Sequence, residues 1–403
     1  MHQINLFRPT LLALSLAFAN SYAQASMVRN DVDYQFFRDF AENKGQFSVG
    51  SSNIPVFNKQ GQKIATVLPN LPMPDLHVAN RVSGIATLFN PQYIASVKHN
   101  SGYGSVQFGD SGNNSDSHYF NYLITERNNH SRLDFHAPRL HKLVTEVAPI
   151  PLNNIAFDNA KKTGPHNGAF LDKNRYPYFV RVGSGRQYLR SKDGKEKTSL
   201  TSAYNYLTGG IPLTPRSSMD NWVLFNGDIY DGLATYGLPG DSGSPLFAYD
   251  AKEKRWVLAA VLSTFANYDR TENIYTIIQP DVIAQAFQND EIQIPFRAKE
   301  IQWWNLGNGD SVLKNGTENI HLALESSSKK SLDQNTQRPS LDNGKTIHFQ
   351  GGDGSTLILK DSINQGAGAL YFNQNAIVRA ENNDTTWLGA GIVVNGDKTV
   401  HWR

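Results

Sequence analysis

Between residues 34 and 296 the apolar residues come in runs too short for helices, each ended within a few positions by Gly, Asn, Asp or Pro. The clearest runs are 46–49, 64–67, 85–88, 93–97, 178–182, 222–224, 256–264 and 274–278. Runs of this length between turn residues are half-buried or buried strands, so this stretch is predicted to be all-β. Two segments depart from the pattern. Residues 31–43 place apolar side chains at 34, 36, 37 and 40, on one helical face, and 281–289 is a second helical segment that Asp281 can cap. With 21 Phe, 17 Tyr, 6 Trp and no Cys, such a core is stabilised by packing and not by cross-links.

The composition shifts near residue 325. Residues 325–342 (ESSSKKSLDQNTQRPSLD) are polar and read as a linker. Short alternating strands come after it at 346–349, 356–359, 369–372, 377–378, 391–394 and 399–402, separated by turns rich in Asn, Gly and Asp. They fit stacked rungs of a parallel β-solenoid. A last rung ending at Arg403 leaves an open sheet edge, so the chain is expected to be the truncated front of a longer protein. Two charged inserts, 161–167 and 190–198, read as solvated loops, since no aromatic residues interleave their lysines.

Residues 1–25 carry Arg8, the apolar run 11–19 and an Ala23-x-Ala25 site, the marks of a secretory signal peptide cleaved after Ala25. No later stretch reaches the roughly 18 uninterrupted apolar residues of a membrane span, so the mature chain is expected to be exported and soluble. A formal charge of +2 gives no polyanion footprint, which argues against nucleic acid as a partner. An exported chain usually acquires disulfides; one that stays threadable through a second membrane is better without them.

The strongest chemical signal is the segment 240–245, Gly-Asp-Ser-Gly-Ser-Pro. Glycines on both sides of Ser242 permit a tight turn in which the N–H groups of Gly240 and Ser242 converge as an oxyanion hole. A polar turn before a buried strand is the plain alternative. A serine hydroxyl is a weak nucleophile at neutral pH and needs a histidine base and a carboxylate to orient it. Of eleven histidines, His99 is the best placed, at the end of the run 93–98 and before the turn-forming Asn100-Ser101-Gly102. Asp134, ahead of the strand-like 143–145, is the favoured acid, with Asp110 as fallback. The order His, Asp, Ser suits two consecutive β-barrels, the first bringing His and Asp and the second Ser. His136 and His141 lack a third ligand nearby and are not read as a metal site. No metal or cofactor is expected.

The segments NDVDYQFFRDFAENKGQFSVG (30–50), YIASVKHN (93–100), PRLHKLVTEVAP (138–149), RVGSGRQY (181–188), GDSGSPLFAYD (240–250), INQGAGALYF (363–372) and TTWLGAGIVV (385–394) resemble the serine protease autotransporters typified by immunoglobulin A proteases, most of all their self-processing adhesin-protease members. The resemblance implies an all-β passenger: a chymotrypsin-like double β-barrel, then a right-handed parallel β-helix stalk. In the family an outer-membrane barrel comes next, and it is expected to lie beyond this truncated chain. Matched to the family's motifs, the catalytic residues are again His99, Asp134 and Ser242. The expected organisation is a signal peptide over 1–25, a protease domain over 26–300, a connecting segment over 301–342 and the first stalk rungs over 343–403.

The function so implied is a secreted serine endopeptidase acting on protein substrates, host extracellular or surface proteins among them, with self-processing included. It would pass through the periplasm of a Gram-negative bacterium to the cell surface or beyond. A non-enzymatic adhesin using the β-helix is the alternative. An esterase with the same triad is disfavoured, because Pro245 and the apolar run after it resist the helix that a Gly-x-Ser-x-Gly elbow requires. In this fold the primary pocket is lined by about 236–239 and 262–265. Neither stretch holds an acidic residue, which disfavours cleavage after Arg or Lys, and Ser263 is a candidate substrate-backbone contact. No Ile-Val-Gly-Gly activation sequence is found, leaving the partner of Asp241 open.

Overall fold

A computed structural model describes residues 26–109, 120–153, 168–200, 207–219, 221–267, 270–278, 280–324 and 344–403. The expected signal peptide, the insert 161–167, the expected linker 325–342 and the fallback acid Asp110 lie outside these residues.

Two antiparallel sheets frame the chain ahead of the second helical segment. The first has the order Thr87–Asn90, Tyr93–Ala95, Arg139–Leu140, Tyr122–Glu126, Ser105–Val106. The second runs Thr208–Gly210, Phe179–Gly183, Pro245–Asp250, Arg255–Asn267, Arg270–Ile277, Trp222–Asn226, Thr214–Met219. One apolar core extends from Tyr93, Val97, Phe108 and Tyr122 of the first unit to Val180, Phe247 and Leu258 of the second. A separate core of Phe179, Phe225, Leu246, Tyr275 and Ile277 fills the far side of the second sheet. A layer of shared core between two sheets fixes their strand ends relative to each other, which a site assembled from both requires.

The predicted helices form at Tyr34–Ala41 and Pro280–Asp290. The first buries Phe37, Phe40 and Ala41 and is capped by Asp33, whose carboxylate accepts from the Gln35 N–H at 2.9 Å, a contribution of about 1 kcal/mol. In the second, Asp281 lies within the first turn and does not cap it, because Pro280 opens the helix. The run at 46–49 is not a strand: Gly45 and Gly50 sit at φ +56° and +86°, and the chain makes a 3-10 turn over Gly45–Phe47 that buries Phe47 against Phe40. The charged insert at 190–198 is the tip of a hairpin, Gln187–Arg190 paired with Lys197–Leu200, and its other edge takes the amino-terminal strand Ser26–Arg29 in parallel.

Glu291–Pro295 pairs in parallel with Thr346–Gln350, which continues to Ala369–Phe372 and Gly391–Val394. Glu300–Gly307 likewise leads a parallel ladder through Ser355–Leu359 and Ala376–Ala380 to Val400–Trp402, with a hairpin of Asp310–Asn315 and Glu318–Ala323 on its outer edge. A short third ladder joins Ile363–Asn364 to Trp387–Leu388. The first parallel ladder thus begins with the strand Glu291–Pro295. Equivalent side chains stack inside: Phe296 on Phe349 at 5.3 Å and Phe349 on Phe372 at 5.1 Å.

The stalk and the first sheet are joined by buried polar contacts. Arg139, 2% exposed, donates to the carbonyls of Gly344 and Ala367, each at 2.7 Å. Gln92 donates to Ala367 at 2.5 Å and to Leu140 at 2.9 Å, and Leu143 N–H donates to Ala390. Among the described residues no helix is long and apolar enough to cross a membrane.

Candidate active site

The strand Tyr93–Ala95 continues through Ser96 and Val97 to His99, and the turn at Asn100 leaves the imidazole at the sheet's end. Asp134 comes from the loop before Arg139–Leu140, held there because His136 and Ser96 exchange both backbone hydrogen bonds, at 3.0 and 3.2 Å. That bridge brings the two side chains together: His99 Nδ1 lies 2.7 Å from Asp134 Oδ2, and the His99 N–H donates to Oδ1 at 3.0 Å. A carboxylate facing Nδ1 selects the tautomer with Nδ1–H, which leaves Nε2 as a lone-pair base.

A third donor reaches the same carboxylate. Ser263 Oγ donates to Asp134 Oδ2 at 2.9 Å, so its hydroxyl is turned to the acid and only its main chain remains to meet a substrate. Burial pushes the Asp134 carboxyl up, but the hydrogen bonds and charge of His99, with Ser263, outweigh it and hold the group below its ordinary value. The side chains are 47% exposed for His99 and 30% for Asp134, open enough for water and substrate to reach.

Below them, His136 is fully buried and of a different kind. Tyr103 Oη is 2.9 Å from its Nε2 and Asn129 Oδ1 is 3.2 Å from its Nδ1, a set that suits a neutral ring. Burial, helped by the charge of Arg127, pushes its pKa down to about 3. His141 Nδ1 accepts the Leu123 N–H at 3.0 Å. Both are structural.

Ser242 stands in the turn that opens strand Pro245–Asp250 of the second sheet. Asp241 N–H donates to Leu238 at 3.0 Å, Gly243 N–H to Leu262 at 2.7 Å, and Ser244 N–H to Asp241 at 2.9 Å. Among the described residues no hydrogen bond takes up the N–H groups of Gly240 and Ser242. Gly240 and Gly243 have φ of +109° and +87°, conformations closed to most L-residues. At Gly243 space also demands glycine, since a Cβ would collide with Ser96 Oγ and the Ile85 carbonyl of the first unit. The turn is tied across the cleft as well: Asn100, next to His99, donates through Nδ2 to the Ser242 carbonyl. The first and second sheets thus set an imidazole and a serine on adjoining turns.

A protein-family model described as immunoglobulin A1 protease matches residues 25–281. The chain belongs to that family. Within it, the adhesion and penetration protein autotransporter of Haemophilus influenzae is 36% identical over 97% of this chain and 30% of its own length. The immunoglobulin A1 protease autotransporter of the same organism is 33% identical over 98% of this chain and 26% of its own. The chain therefore spans about 30% or less of these relatives. The crystal structure of the Haemophilus influenzae Hap adhesin superposes on 93% of this chain and 42% of that one, with a TM-score of 0.80 and 34% identity. The passenger domain of plasmid encoded toxin from enteroaggregative Escherichia coli shares the fold, at TM-score 0.63 over 92% of this chain, 35% of its own and 22% identity. This immunoglobulin A1 protease family member has the chymotrypsin-like barrels and β-helix of such passengers.

The role of Arg181 was not foreseen. It is fully buried and pairs with Asp241, with Nη2 2.9 Å from Oδ2, directly before Ser242. The visible signal was a lone charge in the apolar strand Phe179–Gly183. Asn273 is also new: buried, it bonds both Gly237 N–H, at 2.6 Å, and Gly237 C=O, at 3.0 Å, and so fixes the 236–239 segment. Among the described residues no cluster of His, Asp and Glu could hold a metal.

Proposed function

We propose that the chain is the front of a secreted serine endopeptidase of autotransporter type. Ser242 Oγ attacks the scissile carbonyl while His99 Nε2 takes its proton, and the tetrahedral oxyanion rests on the N–H groups of Gly240 and Ser242. Collapse expels the amine, which receives the proton from His99. Water then repeats the cycle on the acyl-enzyme and restores Ser242. Asp134 orients the imidazole through Nδ1–H and stabilises the imidazolium. The observation that carries this reading is the 2.7 Å His99–Asp134 pair on a turn that Asn100 ties to Ser242.

We assign residues 1–25 to a signal peptide, the protease to the region that gives way at 291, and the stalk to the residues from 291 onward, with export across the periplasm to the surface of a Gram-negative cell. Substrates are proteins, host extracellular or surface proteins among them, and the chain itself in a self-processing cut. Leu262 fills the space beside Gly237 and the one acid nearby, Asp241, is already paired with Arg181. The primary pocket therefore takes small or apolar side chains in preference to Arg or Lys.

Cleavage of a randomised peptide library by the wild type and by Ser242→Ala tests the assignment. The wild type should cut with a defined primary preference and the variant should lose cleavage while its unfolding temperature is unchanged. Equal cutting by both proteins sinks it. A relative's name that speaks of adhesion favours a second reading, a surface-binding passenger; a folded wild type with no peptide turnover would select that one.

A further inference from the structure

Asp241, the residue before Ser242, is fully buried, and its carboxylate is engaged from three sides. Arg181 Nη2 donates to Oδ2 at 2.9 Å, Ser26 Oγ donates to the same oxygen at 2.7 Å, and the Ser184 N–H donates to Oδ1 at 2.8 Å. Arg181 reaches further through Nη1, to Ser26 Oγ at 3.1 Å and Thr235 Oγ1 at 2.5 Å. The cluster is closed to anything larger: a Cβ on Gly183 would sit 2.5 Å from Ser26 Oγ, 2.6 Å from Arg181 Nη2 and 2.8 Å from Asp241 Oδ2.

A carboxylate at this depth is tolerated only while it is paired and hydrogen-bonded. Without its cation it would turn toward water, and in a turn this closely bonded, Asp241 N–H to Leu238 and Ser244 N–H to Asp241, that movement would pull on the backbone of Gly240, Asp241 and Ser242. The group that holds Asp241 inward therefore also sets where the Gly240 and Ser242 N–H groups point, and preorganised direction is what an oxyanion hole contributes. A freed amino terminus can supply such a cation only after a cut. Here the cation stands on Phe179–Gly183, a strand flanked on both sides within the second sheet, by Thr208–Gly210 and by Pro245–Asp250. Ser26 takes part through its hydroxyl. Its strand is bound by main-chain bonds, Met27 N–H to the Tyr236 carbonyl at 2.8 Å among them.

We propose that Arg181 is the positioning residue of the oxyanion hole: its guanidinium clamps Asp241 and so orients the Gly240–Ser242 turn, making the site competent whether or not the amine that signal-peptide removal frees at Ser26 is present. Ser26 Oγ steadies the clamp. The proposal rests on Ser242 being the nucleophile.

The test compares four proteins spanning 26–403: the wild type, the same chain with four extra residues ahead of Ser26, Arg181→Met and Arg181→Lys. Active sites are counted by fluorophosphonate labelling. For each labelled-competent site the kcat and KM of a cleaved peptide and the Ki of a peptide boronate, which forms a tetrahedral adduct in the hole, are measured. The extension should leave kcat and Ki within about twofold. Arg181→Met should lower kcat by about 100-fold and raise the boronate Ki by a similar factor, with KM little changed, as for loss of an oxyanion donor. A merely structural role would reduce the number of active sites without moving Ki per site. Arg181→Lys keeps the charge but loses the two-pronged grip, and should fall between, at about tenfold; it decides the matter if Arg181→Met does not fold. Two results overturn the clamp: Arg181 variants with wild-type kcat and Ki per site, or an extended chain more than tenfold slower that recovers when trimmed to Ser26. A wild type that neither labels nor cleaves removes the underlying reading instead.

Discussion

His99 and Asp134 hang from strand ends of the first sheet with side chains 47% and 30% exposed, whereas the Ser242 turn of the second sheet is anchored by an Arg181–Asp241 pair with no exposure at all. The half proposed to handle protons is bonded mainly side chain to side chain, near water. The half proposed to stabilise charge is main chain, locked from beneath. The difference suits the proposed chemistry. A base must exchange protons with substrate and leaving group, so it needs access; oxyanion donors act by being aimed in advance, so they need rigidity.

The largest effect should come from spoiling the exposed half. Asp134→Asn presents an amide to Nδ1 and favours the wrong tautomer, so kcat should fall by about 10⁴-fold with the fold intact. A loss below tenfold, measured on the same peptide, would mean that His99 does not depend on this acid.

Beneath that half lies a latent acid sensitivity. His136 stays neutral in the folded state, with its pKa pushed down to about 3 by burial, while in the unfolded chain it protonates below about 6.5. The unfolded state therefore gains a proton first as pH falls, and stability is full above about 6.5 and declines from there toward 3, by up to about 1.4 kcal/mol per unit. The difference in urea midpoint between wild type and His136→Gln should hold from pH 7.5 to about 6.5 and shrink from there to 4.5. A constant difference contradicts the assignment of His136 as a buried neutral ring.

Through Arg139 the stalk contacts the first half. Arg139→Met leaves the Gly344 and Ala367 carbonyls without this donor and should cost about 2–4 kcal/mol of stability, seen as a lower denaturant midpoint. If kcat per active site also fell, the stalk would be part of the Asp134 support and the contrast between the halves would sharpen. No change in the midpoint would show the joint to be dispensable.

The smallest effect is expected at Ser263. Its hydroxyl is one of three donors to Asp134, so Ser263→Ala should lower kcat by only about threefold to tenfold. A loss matching Asp134→Asn would make the serine, and not His99 alone, the reason for the acid's placement.

How much the sequence disclosed depends on the range of the interactions. Strands such as Tyr93–Ala95 and Trp222–Asn226 were legible because alternation and turn residues are local, and His99 because it closes such a strand. The run at 46–49 misled because its flanking glycines, in left-handed conformation, close a turn that apolar counting does not see. The parallel pairing of Glu291–Pro295 was hidden because its partner strand begins at 346, far along the chain. Arg181 was illegible for the same reason: 60 residues separate it from Asp241, and in an apolar strand a single charge reads as an exception until its partner is seen.

Intact mass and peptide mapping of the wild-type protein after reaction with a fluorophosphonate tests the assembled site most directly. One adduct is expected, on Ser242, forming at a rate that collapses in His99→Ala. An adduct on another serine, or continued peptide cleavage with Ser242 unmodified, would contradict a site built from His99, Asp134 and Ser242.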